Sequence, residues 1–430
     1  MNKLGYLCYE QYKESGVEWL EKIPGKWDTR RLKRCVTLAN RKCDDSALPY
    51  VGLENVESFI GRYLPATGET QPDVADSFAE TDVLFGKLRP YLAKVLALDF
   101  GGRCTGEFLA LRPRDFLDRR YLFHCCLSHG FVNIVNSSTF GSKMPRADWQ
   151  FIGKVCMPLP SIAEQRAIAD FLDRETARID ALIERQERLI VKLEEKRKAM
   201  IAQAVTRGLD PNVPLKESGV EWLGKIPEHW GVSRLTYLFS ERDERAEPNL
   251  PLLNVSISSG VTVREFSDSR IETMAADFNI YKVARKGDIA FNKMRMWQGA
   301  VGVAPVHGLV SPDYTVAHDI GNTVVEYYDA LFHIERFFVE VIGRSHGIVW
   351  DRLRLYWDGF KDIRVPVPPR AEQAAIVASL QALKSRTDES VAKVRQLVTR
   401  LREKRTALIS AAVTGKIRVT GQGRDCAVQV

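Results

Sequence analysis

The chain has 430 residues, 45% of them hydrophobic and 27% charged, a balance that excludes a disordered or collagen-like protein and, at about 150 residues per domain, leads us to expect about three globular units. No apolar run reaches the ~18 to 20 residues of a membrane span, and the N-terminal MNKLGYLCYEQYKESG lacks the apolar stretch of a signal peptide, so a cytoplasmic, non-membrane protein is expected. The net charge of +7 permits a polyanionic partner without requiring one, and it is unevenly spread: residues 369–430 carry 12 basic and 5 acidic side chains, whereas 208–368 carry 18 and 22.

The first element met along the chain is also the first half of a repeat. KESGVEWLEKIPGKWDTRRL at Lys13–Leu32 returns as KESGVEWLGKIPEHWGVSRL at Lys216–Leu235, with fourteen of twenty positions identical. Three further pairs follow at nearly the same offset: TDVLFGKLR (81–89) with GDIAFNKMR (287–295), PLPSIAEQRAIADFL (158–172) with PVPPRAEQAAIVASL (366–380), and LEEKRKAMIAQAVT (193–206) with LREKRTALISAAVT (401–414). The chain is therefore two copies of one unit of about 205 residues.

Within each copy the first ~150 residues are rich in Gly, Pro, aromatics and short β-branched runs, and read as a mixed α and β globular domain. The repeated F-x-K-x-R, Phe85-Lys87-Arg89 and Phe291-Lys293-Arg295, reads as a strand with one apolar anchor and two same-side cations, a layout that could meet phosphates or form an ordinary solvated edge. Arg30, Arg31, Lys33, Arg34, Arg41 and Lys42 form one basic cluster, and Lys282, Arg285, Lys286, Lys293 and Arg295 another around Asp288. Lys143, Arg146, Arg344 and His346 are further candidate DNA contacts beside Gly141 and Gly347. The eight cysteines include no C-x-x-C pair, and Cys125-Cys126 is expected to pack as small hydrophobes; the histidines show no metal-binding spacing, and no metal is expected.

Prolines 158/160 and 366/368/369 close each globular domain. From Ala163 to about Val205 there is then no Pro or Gly, and apolar residues recur at helical spacing; the second copy repeats this. The expected core of the helix pair is Leu172, Ile179, Leu182, Leu189, Leu193 and Met200 with Leu380, Val391, Val394, Val398, Leu401 and Leu408. A narrow stripe along ~60 Å of helix cannot be buried by one globular domain, so the two helices are expected to bury each other as an intramolecular coiled coil. Chain connection favours an antiparallel pair, which would relate the copies by an approximate two-fold axis. The fold class is α+β, divided as a first globular domain (1–160), a first helical region (161–207), a second globular domain (208–368), a second helical region (369–415) and a tail (416–430). The charged Glu195, Lys196, Arg197, Glu403, Lys404 and Arg405 in the repeated helix ends could dock a partner or merely be solvated.

The sequence lacks G-x-x-x-x-G-K-[ST], G-x-G-x-x-G and H-E-x-x-H, and also the [ND]-P-P-[YFW] of amino-methyltransferases, which Ser311-Pro312-Asp313-Tyr314 resembles only superficially. No catalytic residue is expected. The doubled KESGVEWLxKIPxxW, F-x-K-x-R, P-x-P before xAEQxxI and the EKRxAxIxxAVT helix end together resemble the specificity subunit of Type I restriction-modification systems, over nearly the whole chain. One departure is the extra Arg207 between Val205-Thr206 and Gly208, where the second copy reads Val413-Thr414-Gly415. The resemblance implies two target recognition domains reading a bipartite, asymmetric site on double-stranded DNA. It also implies two docked modification subunits that methylate adenine with S-adenosylmethionine, which this chain itself would not hold, and restriction (motor-nuclease) subunits that could join. A methylation-only system and, in a different class, a coiled-coil adaptor for protein partners are the alternatives.

Overall fold

The structure, a computed structural model, describes residues 6–65, 72–141, 143–245, 250–264, 280–347 and 353–419. The chain divides into a first unit, Met1–Glu187 with Arg395–Val430, and a second, Arg188–Val394. Both are α+β.

The first unit is built on an antiparallel sheet ordered Val36–Leu38, Phe108–Pro113, Val83–Gly86, Val95–Leu96. The run Val83, Leu84 and Phe85 is buried on both faces, which is why it is continuously apolar and does not alternate. Helices Arg119–Leu127 and His129–Ser137 cover the sheet, bringing Tyr121, Leu122, Cys125 and Phe131 into the core. Burial pushes the Cys126 thiol well above its ordinary range. Burial likewise holds the His124 imidazole below its usual range, and its Nε2 lies 2.7 Å from Asp173. The second unit repeats the same order with Phe239–Glu241, Tyr314–Asp319, Ile289–Asn292 and Val301–Val303, again antiparallel, beside helices Val325–Phe332 and Glu335–Arg344. Residues 265–279 lie outside the described residues, and the strand Lys282–Ala284 follows them.

The repeated motifs have structural work in each unit. The strand after KIPxxW pairs with the strand carrying the prolines, Asp28–Arg31 with Cys156–Leu159 and Gly231–Arg234 with Arg364–Val367. Trp27 and Trp230 are fully buried beneath these ribbons. The Gln of each AEQ clamps the start of a long helix to its globular domain: Gln165 donates to Pro160 O (2.9 Å) and Phe116 O (3.0 Å) and accepts from the Asp118 amide (2.8 Å). Gln373 likewise donates to Pro368 O and accepts from the Val324 amide, both at 2.9 Å.

The two long helices run Ile162–Arg207 and Arg370–Val413. In the first unit Asp180 meets Arg405 and Glu187 meets Arg402, so one helix rises as the other falls. In the second unit Arg197 meets Asp388, while Ala204 and Val205 share a core with Ile376; the pairing is antiparallel there too. The first helix buries Leu172, Thr176, Ile179 and Ile183, an alternation of four and three residues that is the seam of a coiled coil. This corrects part of the expected core: Leu182 (39% exposed), Leu189 (41%) and Met200 (40%) lie outside the seam. Leu193, Leu380, Val394 and Leu401 are half-buried, and Val391, Val398 and Leu408 are buried.

Each long helix ends on a glycine with positive φ, Gly208 (+78°) and Gly415 (+70°), the left-handed geometry that terminates a helix without a Cβ penalty. A side chain at Gly415 would collide with Pro24, and one at Gly208 would press on Glu372 and Trp230. Each helix end is thus seated against a KIPxxW motif of its own unit. Ile417, assigned to the tail, is fully buried in the first unit, and the Arg418 amide donates to Leu7 O at 2.7 Å.

Candidate nucleic-acid interface

In the first unit the strand Val83–Gly86 stops at Gly86, whose amide donates to Lys94 O at 2.8 Å. Lys87 and Arg89 therefore lie on the loop beyond the strand, which corrects the expectation that F-x-K-x-R continues as a strand. Beyond it, Arg89 adopts a left-handed backbone (φ +50°) before the turn Pro90–Leu92. The loop is pinned by the Lys87 amide on Glu107 O (2.9 Å), the Ala147 amide on Lys87 O (2.9 Å) and the Arg89 amide on Pro145 O (2.7 Å). Leu88 and Phe140 both bridge to Arg146, so a second excursion of chain lies beside the first.

This arrangement gathers Lys87, Arg89, Lys143 and Arg146 on one edge of the unit. Arg89 and Lys143 are exposed, the Arg89 guanidinium touching Lys143 O at 3.4 Å. Among the described residues Lys87, Arg89 and Lys143 have no acidic partner. Arg146 is different: it forms an ion pair with Glu107 at 2.6 Å, which competes with any phosphate. Three apolar side chains stand out of the same edge, Tyr91 (43% exposed), Met144 (54%) and Phe140 (78%).

The second unit builds the same junction from its own residues. The strand Ile289–Asn292 ends, Lys293 and Arg295 follow on the loop, and the Leu355 amide donates to Lys293 O at 2.9 Å, as Ala147 does to Lys87. His346 and Arg354 exchange backbone hydrogen bonds at 2.9 Å, in the position of Phe140 and Arg146. Arg295, His346 and Arg354 are exposed, and Lys293 is half-buried with Nζ on Pro312 O at 3.4 Å. Arg344 does not join them; it closes the helix Glu335–Arg344 and pairs with Glu340 at 2.9 Å. Arg354 is the residue missed in its place. Its signal was in the sequence, because Arg146-x-x-Trp149 and Arg354-x-x-Trp357 repeat at the offset of 208.

Three members of the broader basic clusters are neutralised by acidic partners. Lys282 is buried between Glu241 (3.4 Å) and Asp243 (2.8 Å), Arg285 pairs with Glu244 (2.9 Å), Asp288 accepts from Arg242 (2.7 Å), and Lys42 pairs with Asp76 (2.8 Å). Of the charged helix-end residues, Glu195, Lys196, Glu403 and Lys404 are exposed. Arg405 is not available for docking: it is 6% exposed, pairs with Asp180 at 2.9 Å and donates to Phe59 O (2.8 Å) and Ile60 O (3.2 Å). Arg197 forms the corresponding but more open pair with Asp388 at 2.9 Å.

The left-handed Arg89 carries a further expectation. Arg89→Gly should stabilise the first unit by up to about 1 kcal/mol, since relief of ~1–2 kcal/mol of left-handed strain exceeds the ~0.5–1 kcal/mol entropic cost of glycine. The same change should weaken DNA binding. Urea unfolding and a DNA titration check both, and a loss of stability would show that this backbone is not strained.

Each unit thus carries, beyond the end of a sheet strand, a lysine and an arginine without an acidic partner among the described residues, Lys87 and Arg89 in the first and Lys293 and Arg295 in the second. Residues 77–192 match the family described as Type I restriction modification DNA specificity domain. The chain is 19% identical over 191 residues to the Type I restriction enzyme EcoDI specificity subunit of Escherichia coli, covering 43% of each. It is 24% identical over 455 residues to the type I restriction enzyme MjaX specificity subunit of Methanocaldococcus jannaschii, covering 95% of this chain and 98% of that one. A solved chain from a type I R-M system assembly shares the fold with a TM-score of 0.68 at 18% identity, over 91% of this chain and 98% of that one. Over most of its length the chain is thus similar to type I restriction-modification specificity subunits. No helix among the described residues is long and apolar enough to cross a membrane.

Proposed function

We propose that this chain reads a bipartite, asymmetric target on double-stranded DNA, one half through each unit, as the non-catalytic subunit of a type I complex. The observation that carries the reading is the recurrence of the loop and paired-segment junction in both units, with cations kept but apolar and polar neighbours exchanged. Unpaired cations on loops set register on phosphates, whereas the differing neighbours face the bases. Two modification subunits, supplying the S-adenosylmethionine site, dock on the long helices through the exposed Leu182, Leu189 and Met200 and the charged Glu195, Lys196, Glu403 and Lys404. Restriction subunits join that complex where the system cleaves as well as methylates.

The test is reconstitution with modification subunits followed by sequencing of methylated sites. Methylated adenines in both halves of one asymmetric site are expected, and none from the isolated chain. Lys87→Ala and Lys293→Ala should each lower affinity alike for all sequences and reduce the slope of log K against log salt by about one. An unchanged slope would remove these lysines from the phosphate backbone.

A further inference from the structure

Phe140 is the most exposed large hydrophobic residue of the first unit's edge, at 78%, yet its backbone is fixed. Its amide donates to Arg146 O at 3.2 Å and its carbonyl accepts from the Arg146 amide at 3.1 Å, while Arg146 is bridged in turn to Leu88. Among the described residues its ring has no aromatic neighbour and no cation over its face. A rigidly held, uncovered phenyl ring is unfavourable in water and marks a contact surface. Its surroundings determine the partner: Lys87, Arg89 and Lys143 stand on the same edge without acidic partners, so the surface that covers the ring carries negative charge. Duplex DNA supplies that charge on its phosphates and, in the major groove, one apolar group on a base edge, the thymine 5-methyl.

We propose that Phe140 is a specificity-determining residue that packs on a thymine methyl in the half-site read by the first unit, with Met144 (54% exposed) beside it. This rests on the DNA-reading function argued above. The corresponding position in the second unit is the exposed His346, which offers hydrogen-bonding nitrogens where Phe140 offers a ring, so the second half-site is read there by a different chemistry.

The test uses the reconstituted complex and duplexes carrying the target found by methylated-site sequencing, with each thymine replaced in turn by deoxyuridine, which removes only the methyl group. Wild-type complex should lose about four-fold in affinity at one thymine of the first half-site, the equivalent of one methyl group withdrawn from contact. Phe140→Ala should bind the thymine duplex more weakly and no longer distinguish it from the uracil duplex at that position. Phe140→Leu, which keeps apolar area, should retain part of the discrimination. Substitutions in the second half-site should act equally on all three proteins. A first half-site without thymine, or Phe140→Ala that loses affinity equally on every duplex, overturns the assignment while leaving the DNA-reading function standing. Wild-type complex that does not distinguish the target from a scrambled duplex overturns both.

Discussion

Arg405→Met is expected to destabilise the first unit by about 3–5 kcal/mol, because it strands the Asp180 carboxylate in a site where both partners are nearly inaccessible to water. The Arg405 and Asp180 side chains are only 7% and 12% exposed. The substitution also removes the donors held by Phe59 O and Ile60 O, so the loop at Phe59, itself left-handed at φ +65°, should loosen with it. Arg197→Met makes the same chemical change at the repeated position but should cost less than about 1 kcal/mol, since Arg197 and Asp388 are 31% and 54% exposed. Urea unfolding combined with amide exchange, which localises the loss to residues 6–65 and 395–419, measures the difference. The double variant Asp180→Leu/Arg405→Met should recover much of the loss, because an apolar pair leaves no charge unpaired. Equal effects of the two arginine substitutions would show that burial of the pair does not govern its strength.

Leu408→Asp should be of similar severity. Leu408 is 1% exposed in the first unit's core, and a carboxylate without a partner there costs several kcal/mol. Leu189→Asp, on the other long helix, should leave the fold within about 0.5 kcal/mol of wild type, because the side chain is 41% exposed. The two leucines look alike in a helical stripe and differ only in the direction they face. Leu189→Asp is nonetheless expected to weaken capture of modification subunits in a pull-down, which Leu408→Asp would do only by unfolding its surroundings. If Leu189→Asp unfolds the chain, the seam runs through Leu189 and not through Ile183 and its neighbours.

That contrast also explains how much of the fold was legible beforehand. The duplication, the long helices and their antiparallel pairing follow from repeated motifs and from chain connection, which need no tertiary detail. The phase of the seam does not. The first helix places leucine or methionine at 182, 189 and 200 directly beside the seam side of the helix, while Thr176 and Arg197 occupy seam spacing, so counting apolar residues shifts the stripe by about one position. Nothing in the sequence marks Arg405 as buried, because its carboxylate, Asp180, is 225 positions away and meets it only when the helices pair.

The interface was legible in its cations and illegible in its geometry. Phe85-Lys87-Arg89 has the alternation of a strand, but Pro90 and the left-handed Arg89 turn it outward. Arg344 and Arg354 are both exposed but differ in place and partner, Arg344 ending a helix on Glu340 and Arg354 bridging to His346, and only the 208-residue offset would have selected the second. Phe140 could not have been singled out at all. An apolar residue is expected inside until the backbone around it shows otherwise.

The seating of Gly208 against Trp230 and of Gly415 against Pro24 has one more consequence. In the second unit the helix end and the motif that receives it are consecutive in sequence, whereas in the first unit they stand at opposite ends of the chain, with Arg418 bonded to Leu7. A circularly permuted gene that links the segment before Leu7 to the segment after Arg418 and opens the chain between Leu209 and Pro214 would recreate every one of these contacts while exchanging which unit the ribosome makes first.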